Sequence, residues 1–158
     1  MKSSEPLIYR HDSLVELGAK WLKQQGFGVV VTELRAFGCL EEADVFGFRS
    51  NCSALIEVKI SRSDFKADAK KTHRKGVGIG TYRFYFSPPG IIAPHDIPSG
   101  WGLLHIDGNK IAPVVAPKGN YWPSYGCSID GWTSFQHLSD MEQERNLLYS
   151  FSRRIKGG

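Results

Sequence analysis

Cysteine is scarce in this chain, and the patterns that would give it structural work are missing. The three cysteines, Cys39, Cys52 and Cys127, are odd in number, far apart and never in a CxxC. A disulfide framework and a zinc knuckle are therefore not expected, and a reducing, cytoplasmic setting fits best. No apolar run approaches the ~20 residues that a membrane span needs. The segment from Met1 to Pro6 has no apolar h-region, so no secretory signal is expected. The five histidines form no HxxxH or HExxH pair, which argues against zinc catalysis. No G-x-S-x-G elbow offers a serine nucleophile. Internal repeats and low-complexity tracts are absent as well.

What is present reads as one α/β domain. A length of 158 residues leaves little room for two cores, and 41% hydrophobic with 23% charged residues is ordinary for a globular protein. The first helix is expected over about Ser13 to Gln25. Ser13 and Glu16 have capping-box spacing, Leu14, Leu17, Trp21 and Leu22 recur on one face, and Gly26 follows as a C-cap. Strands are expected at 29–34, 43–48, 54–60 and 82–86, the last stopped by Pro88, Pro89 and Gly90. Arg49 to Ser53 is turn chemistry between the second and third strands. Ser61 or Ser63 begins a short charged helix running to about Lys75. Asp107, Gly108 and Asn109 mark a hairpin between 102–106 and 110–115. Ser139 and Glu142 form a second capping box before a final helix with apolar Met141, Leu147, Leu148, Phe151 and Ile155. The order of helix, three strands, helix, more strands and helix implies a sheet covered by helices.

One constellation carries chemistry. Glu57 and Lys59 stand two residues apart on a strand and so share a face. If the turn centres on Ser50 and Asn51, Asp44 on the second strand lies opposite Glu57; a two-residue shift puts it opposite Lys59. In either register the three groups form one patch. Two carboxylates that close repel each other, and a divalent cation relieves the repulsion. Asp and Glu oxygens beside open water positions suit magnesium, with manganese as a substitute. A lysine beside them holds a water or meets the charge developing on a phosphate. This is equipment for metal-assisted phosphodiester hydrolysis. An isolated E-x-K on a strand is more often a surface salt-bridge ladder. Convergence from two strands, and the charge that follows, favour the chemical reading.

That charge is concentrated. From Lys59 to Lys75 the chain carries Lys59, Arg62, Lys66, Lys70, Lys71, Arg74 and Lys75 against Asp64 and Asp68, a net +5 beside +4 for the whole chain. Such a patch beside paired carboxylates is suited to gripping a nucleic-acid backbone, although Lys70 to Lys75 cannot all face one way. Gly76 to Gly80 resembles a phosphate loop but precedes a strand rather than a helix, so a mobile connector is expected. His105 to Asn109 lacks the second histidine of an HNH site. Tyr121, Trp122, Tyr125, Trp132 and Phe135 are expected to pack the final helix on the sheet rather than to stack on bases.

Asp44, then Glu57-x-Lys59 after twelve residues, resembles the D-x(n)-E-x-K core of the PD-(D/E)XK nuclease superfamily. Ala43 stands where that family usually has proline. The string from Ile56 to Asp68 is similar to the E-V-K-x-S-R-x-D-F-x-x-D signature of the MmcB-like DNA-repair branch and its phage and prophage relatives. Residues 82–90 and 100–104 resemble that branch's later strands. The likeness spans about 11–116 and leaves 117–158 as a loop-rich extension with a helix. It implies a restriction-endonuclease-like core, a mixed sheet in αβββαβ order with an extra C-terminal hairpin and helix. It further implies Mg2+-dependent cleavage of DNA in repair, recombination or phage DNA processing. Asp44, Glu57 and the Val58 carbonyl would hold the metal, and Lys59 would be the catalytic lysine. Glu16 would match the helix-one glutamate of many such sites, although capping explains it equally well and Glu33 is a rival. Asp64 and Asp68 match signature positions whose task the sequence does not define. A homodimer is left open. The alternative is a non-catalytic nucleic-acid-binding or protein-interaction module on the same fold.

Overall fold

The computed structural model describes residues 9–34, 43–72 and 77–157. Six strands form one mixed sheet in sequential order: β1 (Val29–Leu34), β2 (Ala43–Phe48), β3 (Ser53–Val58), β4 (Tyr82–Ser87), β5 (Gly102–Asp107) and β6 (Lys110–Val115). β1, β2 and β3 are antiparallel neighbours. β3, β4 and β5 run parallel, and β6 returns antiparallel to β5. The parallel step from β3 to β4 needs a crossover, which α2 (Arg62–Thr72) supplies. Pro113 lies in β6, an edge strand, where its missing N–H breaks no ladder.

The two faces of the sheet carry separate cores. On one, α1 (His11–Gln24) buries Leu14, Val15 and Leu22 against Val45, Ile56, Val58 and Phe84. On the other, Phe65 of α2 and Leu147 of α3 (Met141–Gly157) pack with Phe46, Leu55, Tyr85 and Leu103. α1 can lie this close because Gly18 and Gly47 have no side chain. A Cβ on Gly47 would stand 3.0 Å from Leu22 Cδ1 and 3.1 Å from Phe27 Cβ.

Several expectations shift. α1 begins at His11 with Arg10 as its uncapped N-cap, so Ser13 and Glu16 are exposed helical residues rather than a capping box. His11 anchors this first turn through the contacts described below. Gly26 does end the helix, at φ +97°, with Phe27 N–H reaching back to the Leu22 carbonyl. Ser61 caps α2 by accepting from Asp64 N–H. For α3 the cap is Asp140, not Ser139: its carboxylate accepts from Gln143 N–H at 3.1 Å. Leu147 is buried and Phe151 half-buried, whereas Met141, Leu148 and Ile155 are exposed.

The aromatic cluster also lies elsewhere. Trp122 and Trp132 are buried on the α1 face against Phe27, Tyr82 and Phe84, away from α3, while Tyr121 and Tyr125 are exposed. Gly76 of the glycine-rich connector lies outside the described residues, and the rest is pinned at Ile79 and Gly80 rather than loose. Ile79 is fully buried, and Gly80 N–H donates to the buried Glu144 carboxylate at 2.9 Å. The hairpin forms as expected, with Asp107 opposite Lys110 and Gly108 at φ +64°. Cys39 lies outside the described residues. Cys52 and Cys127 are free thiols. No helix among the described residues is long and apolar enough to cross a membrane.

Candidate active site

Strand register assembles the site. Val45 pairs with Ile56 and Phe46 with Leu55, and one further step along this ladder brings Asp44 opposite Glu57. This is the first of the two registers considered. Glu57 in turn pairs with Tyr85 on β4. On the other side, Thr32 pairs with Val45 and Leu34 with Ala43, which sets Glu33 across from Asp44. Glu33, Asp44, Glu57 and Tyr85 thus line up across four strands. Glu33 sits at φ +49°, a left-handed conformation that costs a non-glycine residue about 1–2 kcal/mol.

A cleft of about 350 Å³ opens at this row, lined by His11, Asp44, Glu57, Val58, Lys59, Asp64, Ala67 and Asp68. Asp44 is held at its back. Its Oδ2 accepts from Val58 N–H at 2.9 Å, and its Oδ1 faces His11 Nε2 at 3.5 Å. The other ring nitrogen of His11 is 3.7 Å from Glu33 Oε1. Glu57 is crowded. Burial, and then the charges of Asp44 and Asp68, push its carboxyl well above the ordinary carboxylate range, while Lys59 pulls the other way. When protonated, Glu57 hydrogen-bonds Asp44.

Lys59 follows directly on β3, and its N–H bonds the Phe86 carbonyl. Its Nζ lies 3.4 Å from Asp68 Oδ1. Asp68 Oδ2 accepts from the Tyr85 hydroxyl at 3.1 Å. The cleft thus brings four carboxyl groups, those of Asp44, Glu57, Asp64 and Asp68, together with one ammonium, an excess of acidic side chains. Such a cleft repels a phosphodiester until cations enter it. The donor set of hard oxygens fits magnesium or manganese.

Asp44, Glu57, Val58 and Lys59 converge as the sequence led one to expect. Glu16 does not join them: it is exposed and lines no part of the cleft, and among the helix-one and strand-one candidates Glu33 is the one linked to Asp44, through His11. The basic helix is only partly as expected. Arg62 is not a spare cation, because its guanidinium makes two bonds to Asp96, at 3.0 and 3.1 Å, and a third to the Ile91 carbonyl. That pairing holds the Asp96 carboxyl well below its usual range. Lys66 is exposed on α2. Lys70 and Lys71 lie on α2 with side chains outside the described set, and Arg74 and Lys75 lie outside the described residues.

Two residues of the site carried no sequence signal. His11 was obscured by placing the helix start at Ser13. His11, Asp12 and Glu33 also bring ligand atoms within 4.8 Å of one another, a grouping that needs α1 and β1 in place. Tyr85 read as an ordinary strand aromatic, because its link to Asp68 depends on the parallel pairing of β3 with β4.

No family model matches the chain, and no curated protein does. Among solved structures, the chain is similar to SPO1766, a protein of unknown function from Silicibacter pomeroyi. The TM-score is 0.62, with 22% identity over 94% of this chain and 90% of that one. That likeness bears on the fold alone: an α/β architecture with a six-stranded mixed sheet and three helices.

Proposed function

We propose that this protein is a Mg2+-dependent nuclease that hydrolyses phosphodiester bonds in DNA, built on a restriction-endonuclease-like core. The observation that carries this reading is the convergence of Asp44, Glu57 and Lys59 in one open cleft, with the two carboxylates in contact and Glu57 driven toward its protonated form. That arrangement is costly to the apo fold, and a divalent cation relieves it.

Asp44 and Glu57 would hold the metal, with the Val58 carbonyl as a third ligand. Once bound, the ion supplies Lewis-acid polarisation of the phosphate and a lower pKa for a coordinated water. The chain's own residues do the rest. The Val58 N–H fixes the Asp44 carboxylate and leaves Oδ1 facing His11 and the cleft. Lys59 offers its ammonium to the attacking water or to the charge that develops on the phosphate oxygens. Lys66, exposed on α2, would contact the DNA backbone. Its setting in this reading is the cytoplasm, in repair, recombination or phage DNA processing.

The test is cleavage of supercoiled, linear, single-stranded and branched DNA with magnesium, with manganese and with chelator. Metal-dependent cutting is expected, reduced by about 100-fold or more in Lys59→Ala. Absence of cutting on every substrate, with DNA binding that ignores chelator, would replace the nuclease with a non-catalytic binding module.

A further inference from the structure

Lysine is a poorly oriented catalyst by itself. Its ammonium is a rotating group of three donors on a flexible four-carbon stem. In this cleft the head of Lys59 is held. Its Nζ contacts Asp68 Oδ1 at 3.4 Å, and Asp68 is held at its other oxygen by the Tyr85 hydroxyl at 3.1 Å. Tyr85 is fully buried. It stacks on Trp101 with ring centroids 4.5 Å apart and meets the edge of Phe65 at 5.1 Å. The helix that carries Asp68 is itself fixed, by buried Phe65 and by the two-bond clasp of Arg62 on Asp96. A continuous path of rigid groups runs from the core to the ammonium.

We infer that Asp68, backed by Tyr85, is a positioning residue for Lys59: it takes up one donor direction of the ammonium and leaves the other two for the cleft. The inference rests on the nuclease reading for its catalytic consequence and on geometry alone for the restraint of Lys59. It gives Asp68 a task beyond charge. A carboxylate placed merely to balance a lysine needs no buried tyrosine behind it.

Two measurements on the whole chain separate these parts. In the first, the side-chain 1H–15N ammonium signal of Lys59, assigned by its loss in Lys59→Arg, is recorded in Asp68→Asn and Tyr85→Phe, both close to isosteric. Restraint predicts a resolved signal in the wild type that is lost in Asp68→Asn and broadened in Tyr85→Phe. An unchanged signal in both variants would overturn the inference. In the second, single-turnover DNA cleavage is compared across a double-mutant cycle. Asp68→Asn should lower the rate about 10–100-fold at saturating DNA, with the half-saturating concentration within about twofold of wild type. The same substitution placed on Lys59→Ala should cost nothing further, because Asp68 acts through Lys59. Additive losses would assign Asp68 a merely structural or independent role and refute the inference. If the wild type cuts no DNA while the ammonium signal still depends on Asp68, the nuclease reading fails and the restraint stands. If the wild type cuts and Asp68→Asn cuts equally well, the nuclease reading stands and the positioning role of Asp68 in catalysis fails.

Discussion

Replacing Glu57 with glutamine should stabilise the metal-free protein while removing its response to metal. The substitution keeps the side chain's shape and deletes one of two carboxylates in contact. Two like charges about 4 Å apart repel by about 4 kcal/mol at an effective dielectric near 20. Solvent in the open cleft and the Lys59 ammonium offset part of this, so about 1–3 kcal/mol should reach the folding free energy. At about 2–4 °C per kcal/mol for a chain of this size, the melting temperature should rise by about 3–10 °C at pH 8 in chelator. The pH dependence gives the sign. The folded Glu57 carboxyl titrates above its unfolded range, so the native state holds the extra proton between the two. Wild-type stability therefore falls as pH rises from about 4.3, the unfolded glutamate value, through the raised folded value. Glu57→Gln lacks that fall. Its advantage should be absent near pH 4 and open as pH increases. Adding magnesium should then reverse the order. The wild type gains about 2.7 kcal/mol at one hundred times the dissociation constant, and the variant gains little. A variant that melts below wild type at pH 8 in chelator, by a margin independent of pH, would refute the reasoning. It would mean that Glu57 is ionised in the apo protein and serves Lys59 as an ordinary ion-pair partner.

The basic helix makes a second prediction. Lys66→Ala should weaken DNA binding uniformly across sequences and lower the salt-dependence slope by about 1, whereas Arg62→Ala, whose partner is Asp96, should leave that slope unchanged; binding titrations at several salt concentrations decide. Glu144→Ala removes the acceptor for the Ser53 hydroxyl and the Gly80 N–H, both at 2.9 Å. The buried Gly80 N–H left unpaired, with the Ser53 hydroxyl falling back on Thr81 Oγ1 at 3.4 Å, should cost about 1–3 kcal/mol, seen as a melting temperature lower by about 2–12 °C. Acidification should also unfold the protein in part through His137, whose pKa burial lowers while its ring bonds the Gly100 carbonyl. A depressed folded value means that the unfolded histidine takes the proton first, so stability drops as pH falls through the ordinary histidine range. His137→Gln should flatten that limb of the melting-temperature profile.

The register of β2 and β3 was legible to within a two-residue shift, which left Asp44 opposite either Glu57 or Lys59; the structure takes the first. The Arg49 to Ser53 turn sets the hairpin, and a one-residue slip would turn Val45 and Ile56 away from α1. From β3 onward the succession of helix and strands was legible, but their order and parallel pairing within the sheet were not, since crossovers rather than local signals set them; the hairpin at Gly108 announced itself through Asp-Gly-Asn. Failures gather at helix starts, where a capping-box spacing in the sequence does not decide the first turn. Ser13 with Glu16, and Ser139 with Glu142, both have the right spacing, yet α1 starts two residues before Ser13 and α3 is capped by Asp140, one residue after Ser139. Tertiary anchoring by His11 decided the first, and the side chain that actually reached Gln143 N–H decided the second.

Arg62 shows why charge counting alone misread the basic helix. A net +5 over seventeen residues is a property of composition, but the charge available to DNA is what remains after internal pairing. Arg62 is consumed by Asp96, thirty-four positions away, and Lys59 is turned toward Asp68. Neither pairing is visible in the local sequence, since each depends on α2 being laid on one face of the sheet by the β3–β4 crossover. The same crossover puts Tyr85 beside Glu57 and beneath Asp68. One topological event thus subtracts from the electrostatic patch and adds to the cleft. Cations taken from the surface hold α2 and its carboxylate in place, leaving the site more acidic than the sequence suggested and more dependent on an added metal.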